Sequence, residues 1–357
     1  MNASGEIDDG SKALAELLSF QSLLSLESLA QRAQALTLRR FGRTISLYVP
    51  LYLSNFCSSG CAYCGFAADR KTPRKRLTFE ETQNELSALK QMGFDEVLLL
   101  TGERTPQADC DYLASCVKLA AKVFHRVTIE AFPMSVEEYK ALVQAGCTGV
   151  TLYQETYDRA QYDQLHRWGP KKDYDARLEA PERALEAGMR TVGLGVLLGL
   201  SDPVAEALAL FRHVRQLERK FWRAGFSLSF PRIRPQAGGF QPLFEVDDRL
   251  LARLIFAFRI CLPDVELVLS TRERASFRDG MAGLGITKMS IASRTTVGGY
   301  QAGAAMEGSG QFEVSDERSV EEFCRALRSR RYEPVFKNWD AVYREVEAQK
   351  VEVCPCD

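Results

Sequence analysis

Cys57, Cys61 and Cys64 lie in the single run Cys-Ser-Ser-Gly-Cys-Ala-Tyr-Cys. Thiolates so spaced in one loop can converge on a soft metal centre, and Gly60 lets the backbone turn tightly between them. A structural zinc site takes four ligands, usually as two Cys-x-x-Cys pairs. This run has three, with neither a histidine nor a fourth cysteine close by. Three thiolates on a four-iron cluster leave one iron without a protein ligand, and an open iron is where a small molecule coordinates. The spacing therefore predicts a [4Fe-4S] cluster held at three corners. A zinc loop that borrows a distant fourth ligand is the alternative.

The other cysteines read differently. Cys110, Cys116, Cys147, Cys261 and Cys324 are scattered and are expected to be small buried apolar residues. Cys354 and Cys356 close the chain, as a dithiol without a role or as an accessory metal or redox site. The first residues, Met-Asn-Ala-Ser-Gly-Glu-Ile-Asp-Asp, have neither the basic start nor the apolar stretch of a secretory signal. The longest strongly apolar run, 192–200, is far shorter than the ~20 residues of a membrane span. A cytoplasmic protein with reduced thiols is expected. The 357 residues include 46 basic and 47 acidic side chains, a net charge of −1. No nucleic acid and no membrane surface is expected as a partner, since both attract a basic excess.

The elements that must hold the cysteine loop are legible from periodicity. Short β-rich runs at 46–53, 96–101, 127–131, 149–153, 191–198, 227–230, 266–270 and 288–292 alternate with amphipathic runs at 78–92, 110–124, 136–145, 176–187, 203–222, 247–261, 273–283 and 320–329. Thr78-x-x-Glu81 is a capping-box pattern, and Asp202-Pro203 puts proline at a first helical position. Regular strand–helix alternation implies a parallel sheet, and eight units close a barrel. An open doubly wound sheet would show Gly-x-Gly-x-x-Gly after its first strand; Asn55-Phe56-Cys57 stands there instead. The expected fold is an α/β (β/α)8 TIM-type barrel over 45–330. An N-terminal helical extension is expected over 1–44, and a C-terminal helical segment with its tail over 331–357.

Barrel active sites form at the C-terminal ends of the strands, and unusual polar residues stand there. They are Thr101-Gly102-Glu103, Gln154-Glu155-Thr156, the Arg232 and Arg234 pair, Thr271-Arg272-Glu273 and Ser290 through Arg294. Charged groups gathered on one rim must be solvated or paired, and a zwitterionic ligand would supply the partners. Arginine's fork fits a carboxylate bidentately, which makes Arg177 and Arg272 candidates for carboxylate binding.

Cys-x-x-x-Cys-x-x-Cys with an aromatic before its last cysteine resembles the radical S-adenosylmethionine (SAM) superfamily. That resemblance implies that the open iron chelates SAM and that Tyr63 supports its adenine. It further implies that Thr101, Gly102 and Glu103 bind its amino group, Glu155 its ribose and Arg177 its carboxylate. Residues 48–55, 64–66, 153–157, 169–174, 193–195, 229–235, 269–273 and 298–300, with His166, resemble the 2-iminoacetate synthases, the ThiH-type tyrosine lyases of thiamine thiazole biosynthesis. Membership of that family implies a 5′-deoxyadenosyl radical acting on L-tyrosine, with cleavage of Cα–Cβ to 2-iminoacetate and p-cresol. It places Tyr52 beside the substrate, with Arg272 and Ser290 on its carboxylate and amino group. It also implies three partners: L-tyrosine, a flavodoxin or ferredoxin reductant, and a thiazole synthase that consumes the imine. Val297 stands where the family pattern has proline. A sister lyase acting on tryptophan or another aromatic amino acid would keep the same residues; a non-catalytic metal-binding barrel is the reading from another class.

Overall fold

The computed structural model describes residues 9–19, 23–301 and 310–336. The strands are β1 (Thr44–Tyr52), β2 (Glu96–Leu100), β3 (Arg126–Glu130), β4 (Gly149–Thr151), β5 (Thr191–Gly195), β6 (Gly225–Ser229), β7 (Glu266–Leu269), β8 (Lys288–Ser290) and β9 (Glu333–Val335). The helices are α1 (Asp9–Ser19), α2 (Leu23–Phe41), α3 (Phe79–Gln91), α4 (Cys110–Ala120), α5 (Val136–Ala145), α6 (Arg159–Leu165), α7 (Tyr174–Glu186), α8 (Pro203–Lys220), α9 (Asp248–Cys261), α10 (Ala275–Met281) and α11 (Val320–Ser329). Strands β1 to β8 pair in parallel in chain order, and β8 and β2 both pair with β1. The sheet is therefore a closed eight-stranded barrel, the expected fold.

Side chains alternate along the strands, as the pleat requires. Leu47, Val49 and Leu51 of β1 and Val97 and Leu99 of β2 pack in the main core with the helices. Tyr48 and Tyr52 join Leu98 and Leu100 in a separate cluster inside the barrel. The lower interior is polar: Glu96, Arg126, Thr128, Thr151, Ser227 and Lys288 line a small space there, and Lys288 pairs with Glu96. Barrel interiors are usually filled by Val, Ile and Leu. A charged floor confines apolar volume to the mouth, where the site lies.

Helix starts follow the sequence signals. Thr78 and Glu81 form a reciprocal capping box on α3, and Asp202 caps α8 with Pro203 in its first turn. Two departures have tertiary causes. Helix α6 and a 3-10 turn at Pro170–Lys172 fill the stretch between β4 and α7, where no element is expected. They are too short for periodicity to reveal and are held by the cysteine loop, through Ala62 N to Leu165 O at 2.9 Å and Lys171 N to Ser59 Oγ at 3.1 Å. The segment after α11 carries β9 rather than a helix. Its residues pair with Thr44–Ser46 of β1, on the edge opposite β8, because Ser46 pairs with both. Residues 337–357, with Cys354 and Cys356, lie outside the described residues.

Candidate active site

The cysteine loop leaves β1 at the C-terminal rim and is fixed on two sides. On one side Glu103 N–H donates to Cys57 Sγ at 3.4 Å. This contact needs glycine at 102, where a Cβ would stand 2.3 Å from Phe56 O. On the other side Gly60 N donates to Trp168 O at 3.0 Å, and a Cβ at Gly60 would lie 2.4 Å from the Trp168 ring. Gly60 is thus required by close packing against Trp168. Phe66 N–H also donates to Cys64 Sγ at 3.4 Å, with Gln311 Nε2 3.6 Å from the same sulfur. Amide donors aimed at sulfurs are how proteins stabilise cluster thiolates.

Among the described residues no three His, Cys, Asp or Glu side chains converge closely enough for a single metal ion. A zinc site would need that convergence. A four-iron cluster does not, because each thiolate takes its own iron at a separate corner. Burial pushes the Cys57 thiol up and Cys61 to about 12, partly opposed at Cys61 by Lys171. Free thiolates are disfavoured in this pocket, so the charge must come with the metal. The residues fit a cluster.

Behind the loop, a cavity of about 120 Å³ occupies the barrel mouth, and Tyr52, Tyr63, Cys64, Glu130, Glu155, Lys171, Arg272 and Ser290 are among the residues that line it. Tyr63 is locked edge-on to His166, with 2.6 Å between its hydroxyl and Nε2. His166 Nδ1 lies 2.8 Å from Tyr162 O, so Nδ1 carries the proton and Nε2 accepts from the phenol. Burial holds this histidine neutral, at about 3.

Glu155 adopts φ 72, a left-handed conformation that costs a non-glycine residue about 1–3 kcal/mol. The strained backbone turns its carboxylate inward, where Lys171 Nζ donates to it at 2.7 Å. Burial acts to raise the Glu155 pKa, but Lys171 and Arg177 outweigh it and hold the group below the usual carboxylate range. Arg177 donates to Tyr153 O at 2.7 Å and lies 3.9 Å from Glu103 and 3.7 Å from Glu155. Such loose pairs leave room for a ligand's own ammonium and carboxylate. Thr101 Oγ1 is buried without a partner among the described residues, an acceptor awaiting one.

Across the mouth, the Arg272 guanidinium stacks on Phe312, 3.3 Å from the ring centroid. The guanidinium donates to Arg232 O at 3.5 Å, and the residue lines the cavity. Ser290 Oγ accepts from Thr271 N at 3.3 Å. The structure thus gathers Tyr52, Tyr63, Glu155, Arg272 and Ser290 around one space. Thr101, Gly102, Glu103 and Arg177 do not line it; Arg177 is linked to it through Glu155, and Glu103 through Arg177. Among the other rim residues, Arg234, Thr271 and Ser293 also line the cavity. Arg232 and Arg234 pair with Glu273, and Thr156 donates to Glu206 at 2.5 Å. Sequence reasoning gave no role to Lys171, Glu130, Gln311 or Phe312. Only Glu130 carried a usable signal, as an acid at the C-terminal end of a barrel strand.

Residues 51–211 match the Radical SAM superfamily, and residues 229–333 the Biotin and Thiamin Synthesis associated domain. The chain is 42% identical to 2-iminoacetate synthase of Escherichia coli (strain K12), over 88% of this chain and 84% of that protein. It is 41% identical to the enzyme of the same name from Salmonella typhimurium, over 92% and 87%. The chain belongs to the 2-iminoacetate synthase family. A crystal structure of HydG, a maturase of the [FeFe]-hydrogenase, superposes with a TM-score of 0.87 at 33% identity, covering 95% of this chain and 78% of that one. As a radical SAM lyase of this family, the protein uses a [4Fe-4S] cluster and SAM. The two matched regions divide a continuous barrel, the second starting at the last residue of β6.

Proposed function

We propose that the chain cleaves the Cα–Cβ bond of L-tyrosine to 2-iminoacetate and p-cresol, with 5′-deoxyadenosine and methionine as the SAM products, for thiamine thiazole synthesis. The observation that carries this reading is that Cys64, the last cysteine of the cluster loop, and a carboxylate-seeking arginine, Arg272, line one cavity at the barrel mouth. Cys57, Cys61 and Cys64 hold the cluster. When bound, the cluster and SAM supply a 5′-deoxyadenosyl radical that takes a hydrogen atom from the substrate amino group. The protein orients the reactants and keeps water out.

Tyr63 supports the adenine, Thr101, Gly102 and Glu103 hold the SAM amino group, Glu155 holds the ribose and Arg177 the SAM carboxylate. The 3.9 Å separation of Glu103 from Arg177 suits the two charges of one amino-acid head. Arg272 and Ser290 hold tyrosine by its carboxylate and amino group, and Tyr52 walls the ring. A flavodoxin or ferredoxin is the reductant, and a thiazole synthase takes the imine before water hydrolyses it. We assign the chain to the cytoplasm, where thiols stay reduced for cluster binding; no disulfide joins the described cysteines.

The test is product identity. Anaerobically reconstituted enzyme with SAM and dithionite is offered tyrosine and tryptophan separately. p-Cresol from tyrosine is expected; skatole or indole from tryptophan, with tyrosine untouched, overturns the substrate assignment.

A further inference from the structure

Glu130 is the last residue of β3, and Arg272 follows β7. In the closed strand order these strands stand four apart, on opposite sides of the mouth, and both side chains line the same cavity. Between them the wall is aromatic and apolar, with Tyr48 and Tyr52 of β1, Leu98 and Leu100 of β2, and Tyr153 beyond β4. The Glu130 carboxyl has no hydrogen bond or ion pair to a described residue. Several charges surround it at longer range: Glu155 from the β4 loop, Lys171 from the 3-10 turn, Arg177 from α7 and Arg272 from the β7 loop. Burial first, and Glu155 second, push it up to about 7. Glu130 is half-buried; a carboxyl held at the cavity wall without a protein partner is costly, and the cost is met when a ligand donor fills the gap.

The space thus has a cationic end, a ring-shaped apolar middle and an acceptor at its far end. We propose that Glu130 accepts a hydrogen bond from the distal hydroxyl of the amino-acid substrate, and so determines selection of tyrosine over phenylalanine. The inference rests on the tyrosine-lyase reading and adds to it the residue that reads the ring substituent. A site built to bond a hydroxyl rejects the analogue lacking it, because its own polar group is then stranded. The neighbouring acid, Glu155, is already engaged by Lys171, which leaves Glu130 as the acceptor for this hydroxyl.

The experiment measures binding of L-tyrosine and L-phenylalanine to the reconstituted holoenzyme with SAM, in wild type, Glu130→Ala and Glu130→Gln. Wild type is expected to prefer tyrosine by about 10-fold to 100-fold, the range of one hydrogen bond to a charged group. Glu130→Ala is expected to lose most of that preference, through weaker tyrosine binding with phenylalanine unchanged. Glu130→Gln keeps the shape and an acceptor oxygen, and is expected to fall between. SAM affinity, which should not change, reports that each variant is folded. A wild type that binds both amino acids equally overturns the proposal without recourse to any variant. Equal weakening of both in the variants also overturns it, because that is what contact with the shared amino group gives. Wild-type turnover separates the two levels: no p-cresol refutes the lyase reading, whereas p-cresol with an unchanged ligand preference in Glu130→Ala refutes only this assignment.

Discussion

The side chain of Gln311 joins Tyr52 to Cys64. The Tyr52 hydroxyl donates to Gln311 Oε1 at 2.7 Å, and Gln311 Nε2 lies 3.6 Å from Cys64 Sγ. A residue 247 positions along the chain from Cys64 therefore touches both the cluster ligand and the substrate wall. Donors to a ligand sulfur stabilise the reduced cluster and raise its potential. Gln311→Leu is expected to lower the midpoint by tens of millivolts, measured by redox titration followed by electron paramagnetic resonance. An unchanged midpoint would show that the amide does not act on the sulfur.

Arg177 is the shared counter-ion of Glu103 and Glu155. Its removal leaves two buried carboxylates with only Lys171 to compensate them. Breaking a buried pair from one side destabilises by on the order of 3 kcal/mol. Arg177→Met is expected to lose about that much in urea unfolding, and to bind SAM weakly even where it folds. Full SAM affinity in this variant would remove Arg177 from the SAM site.

His213 on α8 contributes to the acid limit on stability. Its Nδ1 lies 2.8 Å from the Tyr157 hydroxyl. Burial, opposed by Glu182, lowers it from 6.5 to about 4. Its folded value is the depressed one, so its neutral form supports the fold above pH 6.5. That support is lost as the unfolded state takes up the proton between pH 6.5 and about 4. The loss amounts to on the order of 3 kcal/mol. His213→Gln is expected to flatten this part of a stability-against-pH curve, read from thermal midpoints. An equally steep acid limb in the variant would assign it to other groups.

Much of the fold was legible because its signals are local. Strand alternation, the Thr78 capping box and the Asp202-Pro203 helix start are each decided within a few residues, and each element lies where its pattern predicts. The cysteine triad is legible for the same reason. What escaped depends on distant parts. Lys171 is informative only because α6 and the 3-10 turn fold back on the cysteine loop. Gln311 and Phe312 come from the segment after β8 and reach the mouth through tertiary contacts, including Gln311 N to Thr295 O at 3.1 Å. Strand β9 reads as a helical continuation until β1 offers it a free edge. The two rim arginines differ: Arg232 is committed to Glu273 and Asp248, whereas Arg234 pairs with Glu273 and still lines the cavity.

The central feature of the site is a cluster with three protein corners and one open iron. Electron paramagnetic resonance of the dithionite-reduced protein, recorded with and without SAM, tests it most directly. A reduced [4Fe-4S] signal that changes shape when SAM is added, and that disappears in Cys57→Ser, Cys61→Ser and Cys64→Ser alike, is the predicted result. A signal indifferent to SAM, or one that survives replacement of any of the three, would contradict it.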